Sequence, residues 1–223
     1  MIKGVIFDLD GVLVSTDEMH YQAWKKLAEE LGIRNFTHKD NEQQRGVSRM
    51  DSLEVVLLKS NAVYTPKQKK ELAERKNQTY VKLLDSLTDR AVLPGAIDVL
   101  KMLREKGIKT AIGSGSKNAL LILEKTGLIP YIDQVSSGLD ITRSKPDPEV
   151  FLIAADKLHL KPEDCIVVED AEAGIIAART GGFRSLAVGP LHNNLKADYS
   201  SETLLSGINW DLILGDFPRK SGQ

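Results

Sequence analysis

Two acids two residues apart, Asp8 and Asp10, close an apolar run: residues 4–13 read GVIFDLDGVL. Val5, Ile6, Phe7 and Leu9 call for burial, whereas a carboxylate held at the end of such a run can attack phosphorus. Its neighbour can move a proton. Later segments add a hydroxyl, Ser114 in GSGSKN (113–118), and a cation, Lys145 in SKPDP (144–148). Two more acids, Glu169 and Asp170, stand in VVEDAEAG (167–174). This set suits phosphoryl transfer assisted by Mg²⁺, a hard cation that takes oxygen ligands and a few carboxylates, with water and phosphate completing its shell. Lysine and serine would balance charge on the transferring group. Each residue also has a plainer reading. Asp170 could be a helix cap, Lys145 a loop lysine and Ser116 a cap of the next helix. GSGSKN is no P-loop, because the spacing GxxxxGK is absent.

The elements that must position these groups follow from hydrophobic pattern. Short runs apolar on both faces, at 5–9, 108–113, 134–137, 165–169 and 184–189, alternate with helical patterns at 95–106, 117–126, 148–160 and 172–181. That alternation predicts a doubly wound, Rossmann-like parallel sheet in an α/β fold. Ligands of such sheets bind beyond the carboxyl ends of the strands, which is where the acids, the lysine and the serine fall. In a strand, Asp8 and Asp10 would share one face, with the chain free to bend at Gly11. The interval 15–87 contains no convincing strand. It holds three helical patterns: 17–31, one starting at Ser48 with Asp51 in a capping-box-like position, and one from Thr65-Pro66 to Leu84. The expected organisation is a core of 1–14 and 88–223 with an all-helical cap domain, 15–87, inserted over the first strand's carboxyl end.

Composition narrows the function classes. The 223 residues are 42% hydrophobic and carry a net charge of -1, which gives no reason to expect nucleic acid or a membrane surface as partner. The one cysteine, Cys165, excludes an internal disulfide and fits a reducing compartment. No stretch approaches the roughly 20 apolar residues of a membrane span, and no signal-peptide layout is present. A cytoplasmic monomer acting on small molecules is the expectation. The tail FPRKSGQ reads as frayed.

The cap carries chemistry of its own. His20 recurs with Trp24, Leu27 and Leu31 on one helical stripe, as a core histidine or as one presented to the site. Arg49 stands in the first turn of a helix capped by Ser48, a place the helix dipole disfavours for a cation unless an anion binds there. Ser116, Lys117 and Asn118 offer a hydroxyl, a cation and an amide beside Ser114. One phosphoryl group is served by Ser114, Lys145 and the metal, so this further set implies a second phosphate. A mutase working through a sugar bisphosphate needs two; a hydrolase does not.

The order DLDGV, Ser114, Lys145-Pro146, Glu169-Asp170 resembles the haloacid dehalogenase superfamily of phosphotransferases over nearly the whole chain, and the helical insert resembles the cap of its first subclass. The resemblance implies that Asp8 is the nucleophile and Asp10 the general acid/base. It also implies that Asp8, the backbone carbonyl of Asp10 and Asp170 hold Mg²⁺, with Glu169 assisting. TDEMHYQAWKKLAEELGI, NEQQRGVSRMDSL, RKN (75–77) and SGSKN are similar to the β-phosphoglucomutase family. That family interconverts β-D-glucose 1-phosphate and β-D-glucose 6-phosphate through the 1,6-bisphosphate. By that resemblance His20, Gly46, Val47, Ser48, Arg49, Ser52, Lys76, Ser116, Lys117 and Asn118 face the substrate, and Thr16 lies in the hinge and positions Asp10. Arg45, Ser15 and Gly115 depart from the lysine, aspartate and alanine often found there. The competing readings are a sugar-phosphate phosphatase, a mutase acting on another hexose phosphate, a phosphorylatable receiver domain and a sugar-phosphate sensor.

Overall fold

The computed structural model describes residues 1–194, 196–204 and 207–215; the tail read as frayed lies outside them. Strands β1 (Gly4–Phe7), β2 (Lys109–Gly113), β3 (Gln134–Ser136), β4 (Cys165–Glu169), β5 (Arg184–Ala187) and β6 (Tyr199–Ser200) form one sheet in the order β3-β2-β1-β4-β5-β6. Every pairing between them is parallel, and Ile6 stands opposite Ala111 on one side and Val167 on the other.

Side chains of a strand alternate between faces, and the packing follows that rule. Val5 and Phe7 join a cluster with Val99, Leu100, Ile122 and Leu123, from α5 (Ala96–Glu105) and α6 (Ala119–Lys125). Ile6 points the other way, into a cluster with Phe151, Ala154, Ala177 and Ala178. Those residues come from α7 (Glu149–Lys157) and α8 (Glu172–Thr180). Burial of each Val, Leu, Ile or Phe side chain among these contributes roughly 1.5–3 kcal/mol, which is what offsets the cost of fixing acids beside them. β1 and β4 are buried at every residue, as central parallel strands should be.

Between β1 and α5 lies the helical block: α1 (Asp17–Glu30), α2 (His38–Glu42), α3 (Arg49–Leu57) and α4 (Pro66–Leu84). It has its own core, in which Tyr21, Trp24 and Leu27 of α1 meet Leu53 and Val56 of α3 and Leu72 of α4. The caps read from sequence are formed: Ser48 accepts from Asp51 N, and Thr65 and Gln68 make a reciprocal box. Helix α9 (Trp210–Gly215) closes the described residues.

Four elements differ from the sequence reading, among them α9, which the sequence pattern did not mark. Helix α2 was not anticipated, because HKDNE has no apolar period; its local signal is the box between Thr37 and Asp40. β6 is a two-residue edge strand, too short for any pattern. β1 stops at Phe7, so Asp8 and Asp10 stand in the loop after the strand and not on one strand face. The reason is the turn behind them: Gly11 has φ +85°, its N–H donates to Val14 O at 2.7 Å, and Val14 N–H returns to Leu9 O at 3.1 Å.

Candidate active site

Asp8 is the first residue past β1, and its N–H still donates to Val168 O at 2.9 Å, so β4 holds its backbone. Lys145 Nζ donates to Asp8 Oδ1 at 2.5 Å and to Glu169 Oε1 at 2.6 Å. The other Glu169 oxygen accepts from Ala171 N–H at 2.7 Å. Glu169 therefore has both oxygens engaged by protein and orients Lys145. Asp170 lies across from Gly11, where a Cβ would sit 2.1 Å from Asp170 Oδ2; only glycine lets the acid-bearing loops approach this closely.

Three buried acids around one lysine leave this floor with surplus negative charge. Burial raises the Asp8 carboxyl to about 7, opposed by Lys145 and assisted by Glu169. Burial likewise raises Asp170 to about 8, with Glu169 and Asp8 adding to the effect. Lys145 moves up, because its two acidic partners outweigh its own burial.

Asp10 is tied into the helical block. Thr16 Oγ1 donates to Asp10 Oδ1, and Tyr80 Oη donates to Thr16 Oγ1 at 3.1 Å. A hydroxyl has one proton to give, so the chain Tyr80→Thr16→Asp10 fixes which oxygen of Asp10 accepts and leaves Oδ2 for a reacting partner. Burial raises Asp10 to about 6 despite the Thr16 bond. Burial also raises Tyr80 well above its ordinary value, which keeps it a donor.

The roof is cationic. Lys76 is buried, its Nζ 2.8 Å from His20 Nδ1 and 4.6 Å from the centre of the Trp24 ring. Burial, then Arg49, lowers Lys76 to about 7. His20 stacks on Tyr80 at 4.0 Å, and burial with Lys76 and Arg49 nearby lowers it well below its usual range, so it stays neutral. Burial also pulls Arg49 down. Arg45 joins the two halves: Nη2 meets Asp17 of α1, and Nη1 lies 3.6 Å from Asp170. Beside it Gly46, with φ +70°, abuts the core loop so closely that a Cβ would stand 2.5 Å from Ala171 Cβ.

Floor and roof enclose a cavity of about 660 Å³. Asp8, Asp10, His20, Gly46, Val47, Ser48, Arg49, Ser52 and Lys76 line it, with Ser114, Ser116, Lys117, Asn118, Lys145, Glu169 and Asp170. Of the candidate site residues Thr16 alone lies outside this lining; it is buried and donates to Asp10. Ser114 Oγ accepts from Ser116 N–H at 3.1 Å, and Ser116 Oγ from Asn118 N–H at 3.2 Å, so this segment is a turn and α6 starts only at Ala119. Sequence reasoning missed Tyr80 and Asn77. Tyr80 follows Lys76 by four residues on α4, a helical neighbour spacing that marks a shared face.

A family model described as haloacid dehalogenase-like hydrolase matches residues 2–182. A β-phosphoglucomutase of Bacillus subtilis (strain 168) is 41% identical over 88% of this chain and 88% of its own. The chain belongs to the haloacid dehalogenase-like hydrolase family. A fructose-1-phosphate phosphatase of Escherichia coli (strain K12) is 30% identical over 83% of this chain and 95% of its own. The crystal structure of a β-phosphoglucomutase from Clostridium difficile superposes with a TM-score of 0.85, at 38% identity and 92% coverage of each chain. As a member of the haloacid dehalogenase-like family the protein is an enzyme, and the family implies a divalent metal. Among the described residues no three His, Cys, Asp or Glu side chains make a ready metal cage. The donors present, the buried carboxylates of Asp8 and Asp170 on neighbouring loops with Gly11 packed against Asp170, fit a hard cation bound largely by oxygen and water. Among the described residues no helix is long and apolar enough to cross a membrane.

Proposed function

We propose that this chain is a β-phosphoglucomutase, interconverting β-D-glucose 1-phosphate and β-D-glucose 6-phosphate. The observation that carries the reading is one cavity with two opposed charge sets: the acids and Lys145 on its floor, and Arg49, Lys76 and Asn118 at its roof and rim. Two β-phosphoglucomutases, 41% and 38% identical to this chain, support the same reading.

Asp8 is the nucleophile. Its carboxylate oxygen bonds to phosphorus as the bond from phosphorus to the sugar oxygen breaks, giving an aspartyl phosphate. In the reverse half-reaction a sugar hydroxyl attacks that phosphorus while Asp10 Oδ2 takes the hydroxyl proton, and the Asp8–phosphorus bond breaks. The bisphosphate then turns, its other phosphoryl group passes to Asp8, and Asp10 returns the proton to the leaving oxygen. A carboxyl near 6 suits both duties at neutral pH. Lys145 and Ser114 bind the moving phosphoryl group. Arg49, Ser116, Lys117 and Asn118 hold the distal phosphate, and His20, Gly46, Val47, Ser48, Ser52 and Lys76 contact the sugar. Asp8, Asp170 and the Asp10 carbonyl would hold Mg²⁺, with Glu169 behind them, and the ion would polarise a phosphoryl oxygen.

Residues 15–87 are the cap, hinged at Thr16, and its contacts to the floor through Arg45 and Gly46 keep water from the acyl phosphate. All groups needed come from one chain, which supports a monomeric enzyme. The test supplies β-glucose 1-phosphate, Mg²⁺ and trace bisphosphate. Glucose 6-phosphate as the main product upholds the reading, and inorganic phosphate as the main product defeats it.

A further inference from the structure

Asn77 of α4 has no part in the mechanism above, yet it sits where cap and core donors meet. Its Oδ1 accepts from Arg49 Nη2 at 2.9 Å and from Asn118 Nδ2 at 3.0 Å. A guanidinium can only donate, so Asn77 must present its oxygen to Arg49. Asn118 must then present its nitrogen to the same oxygen, because two amide oxygens facing each other repel. Both amide orientations are thereby fixed by chemistry. One donor belongs to the cap and the other to the core, at the residue before α6. Glu74, one turn earlier on α4, steadies the other terminal nitrogen of Arg49 at 3.6 Å.

Two donors aimed at one oxygen about 3 Å away form half of a phosphate site, since a phosphate oxygen is an acceptor with the same demands. We propose that Asn77 is a positioning residue: its amide oxygen aligns Arg49 and Asn118 as a pair and registers cap against core, and an oxygen of the distal phosphate takes its place when substrate binds. This rests on the assignment of Arg49 and Asn118 to the second phosphate. Exchange of one neutral acceptor for a charged one costs little, whereas two mobile side chains would have to be ordered anew by each substrate.

The test compares Asn77→Asp, Asn77→Ala and Arg49→Ala in steady-state kinetics with β-glucose 1-phosphate and in calorimetric binding of glucose 6-phosphate. X-ray scattering is recorded without sugar phosphate. Asn77→Asp keeps the shape but offers a carboxylate that competes with phosphate. KM and the dissociation constant should rise about tenfold while kcat stays within about threefold. Asn77→Ala removes the link and should give a larger radius of gyration. Arg49→Ala should weaken binding at least as much as Asn77→Asp. If Asn77→Asp binds within about twofold of the parent while Arg49→Ala does not, the role of Asn77 is overturned and the second phosphate stands. A scattering curve for Asn77→Ala that superposes on the parent also overturns it, as does a joint fall of kcat and thermal stability with KM unchanged. Unchanged binding in Arg49→Ala removes the second-phosphate assignment itself, and this proposal with it.

Discussion

Floor and roof of the cavity hold opposite charges under the same burial. On the core side the carboxyls of Asp8, Asp10 and Asp170 are pushed up, to about 7, 6 and 8. On the cap side Lys76 is pulled down to about 7, and Arg49 is lowered too. Each half carries charge in excess of its partners. On the floor Asp8, Glu169 and Asp170 share Lys145 and Arg45. On the roof Lys76 lies against His20 and Trp24, with Arg49 lowering it further. The proposed function gives the floor a cation and the roof an anion. A buried charge without a partner is costly, so each half stores destabilisation that a ligand can relieve. A phosphatase needs only the floor. The roof is what makes a second phosphate, and hence a sugar phosphate as acceptor, the reading that fits.

The largest effect should come from the floor. Asp8→Asn removes the proposed nucleophile, and turnover should fall by at least about 10⁴-fold in a coupled glucose 6-phosphate assay. Activity near that of the parent would mean that phosphorus is attacked elsewhere.

How far this contrast could be read from the sequence differs between the two halves. Asp8, Ser114, Lys145 and Asp170 follow strand ends and Glu169 ends β4, and a parallel sheet brings successive strand ends to one edge, so local pattern sufficed. The roof depends on how helices far apart in sequence dock. Tyr80 reaches Thr16 across 64 residues, and Asn77 reaches Asn118 across 41. No local period encodes those pairings. Lys76 was legible only through resemblance; its burial against Trp24 and His20 was not. Asp8 and Asp10 were expected on one strand face, but the Gly11 turn places them in the loop, where a separate relay can hold Asp10.

The next effect comes from the roof. The folded-state value of Lys76, about 7, lies below the unfolded value near 10.4. Between those pH values the unfolded chain binds a proton that the folded chain does not, so stability rises with pH there; below 7 the full cost is present. Lys76→Met should therefore stabilise the fold by about 2–4 kcal/mol below pH 7, and the gain should fade towards pH 10. Urea melts at pH 6 and pH 9.5 check this; a gain independent of pH would remove the buried-cation account.

A smaller effect tests the floor by metal removal. For acids whose folded values are raised, stability is full below the unfolded value near 4 and is lost as pH rises through about 7 to 8. A divalent cation offsets that loss, so the rise in Tm on replacing EDTA with Mg²⁺ should grow from pH 6 to pH 8.5. A stabilisation of about 1 kcal/mol corresponds to about 2–4 °C in a protein of this size. A shift that shrinks with rising pH would place the metal away from Asp8 and Asp170.

The central claim is that the floor makes a phosphoenzyme whose acceptor is chosen by the roof. It is tested most directly by loading the enzyme with phosphorus-labelled glucose 1,6-bisphosphate, locating the label, and chasing with unlabelled glucose 6-phosphate. The account predicts label on Asp8, passing to the sugar far faster than to water, with that preference diminished in Arg49→Ala. Label on another residue, or equal loss to water with and without the sugar phosphate, would contradict it.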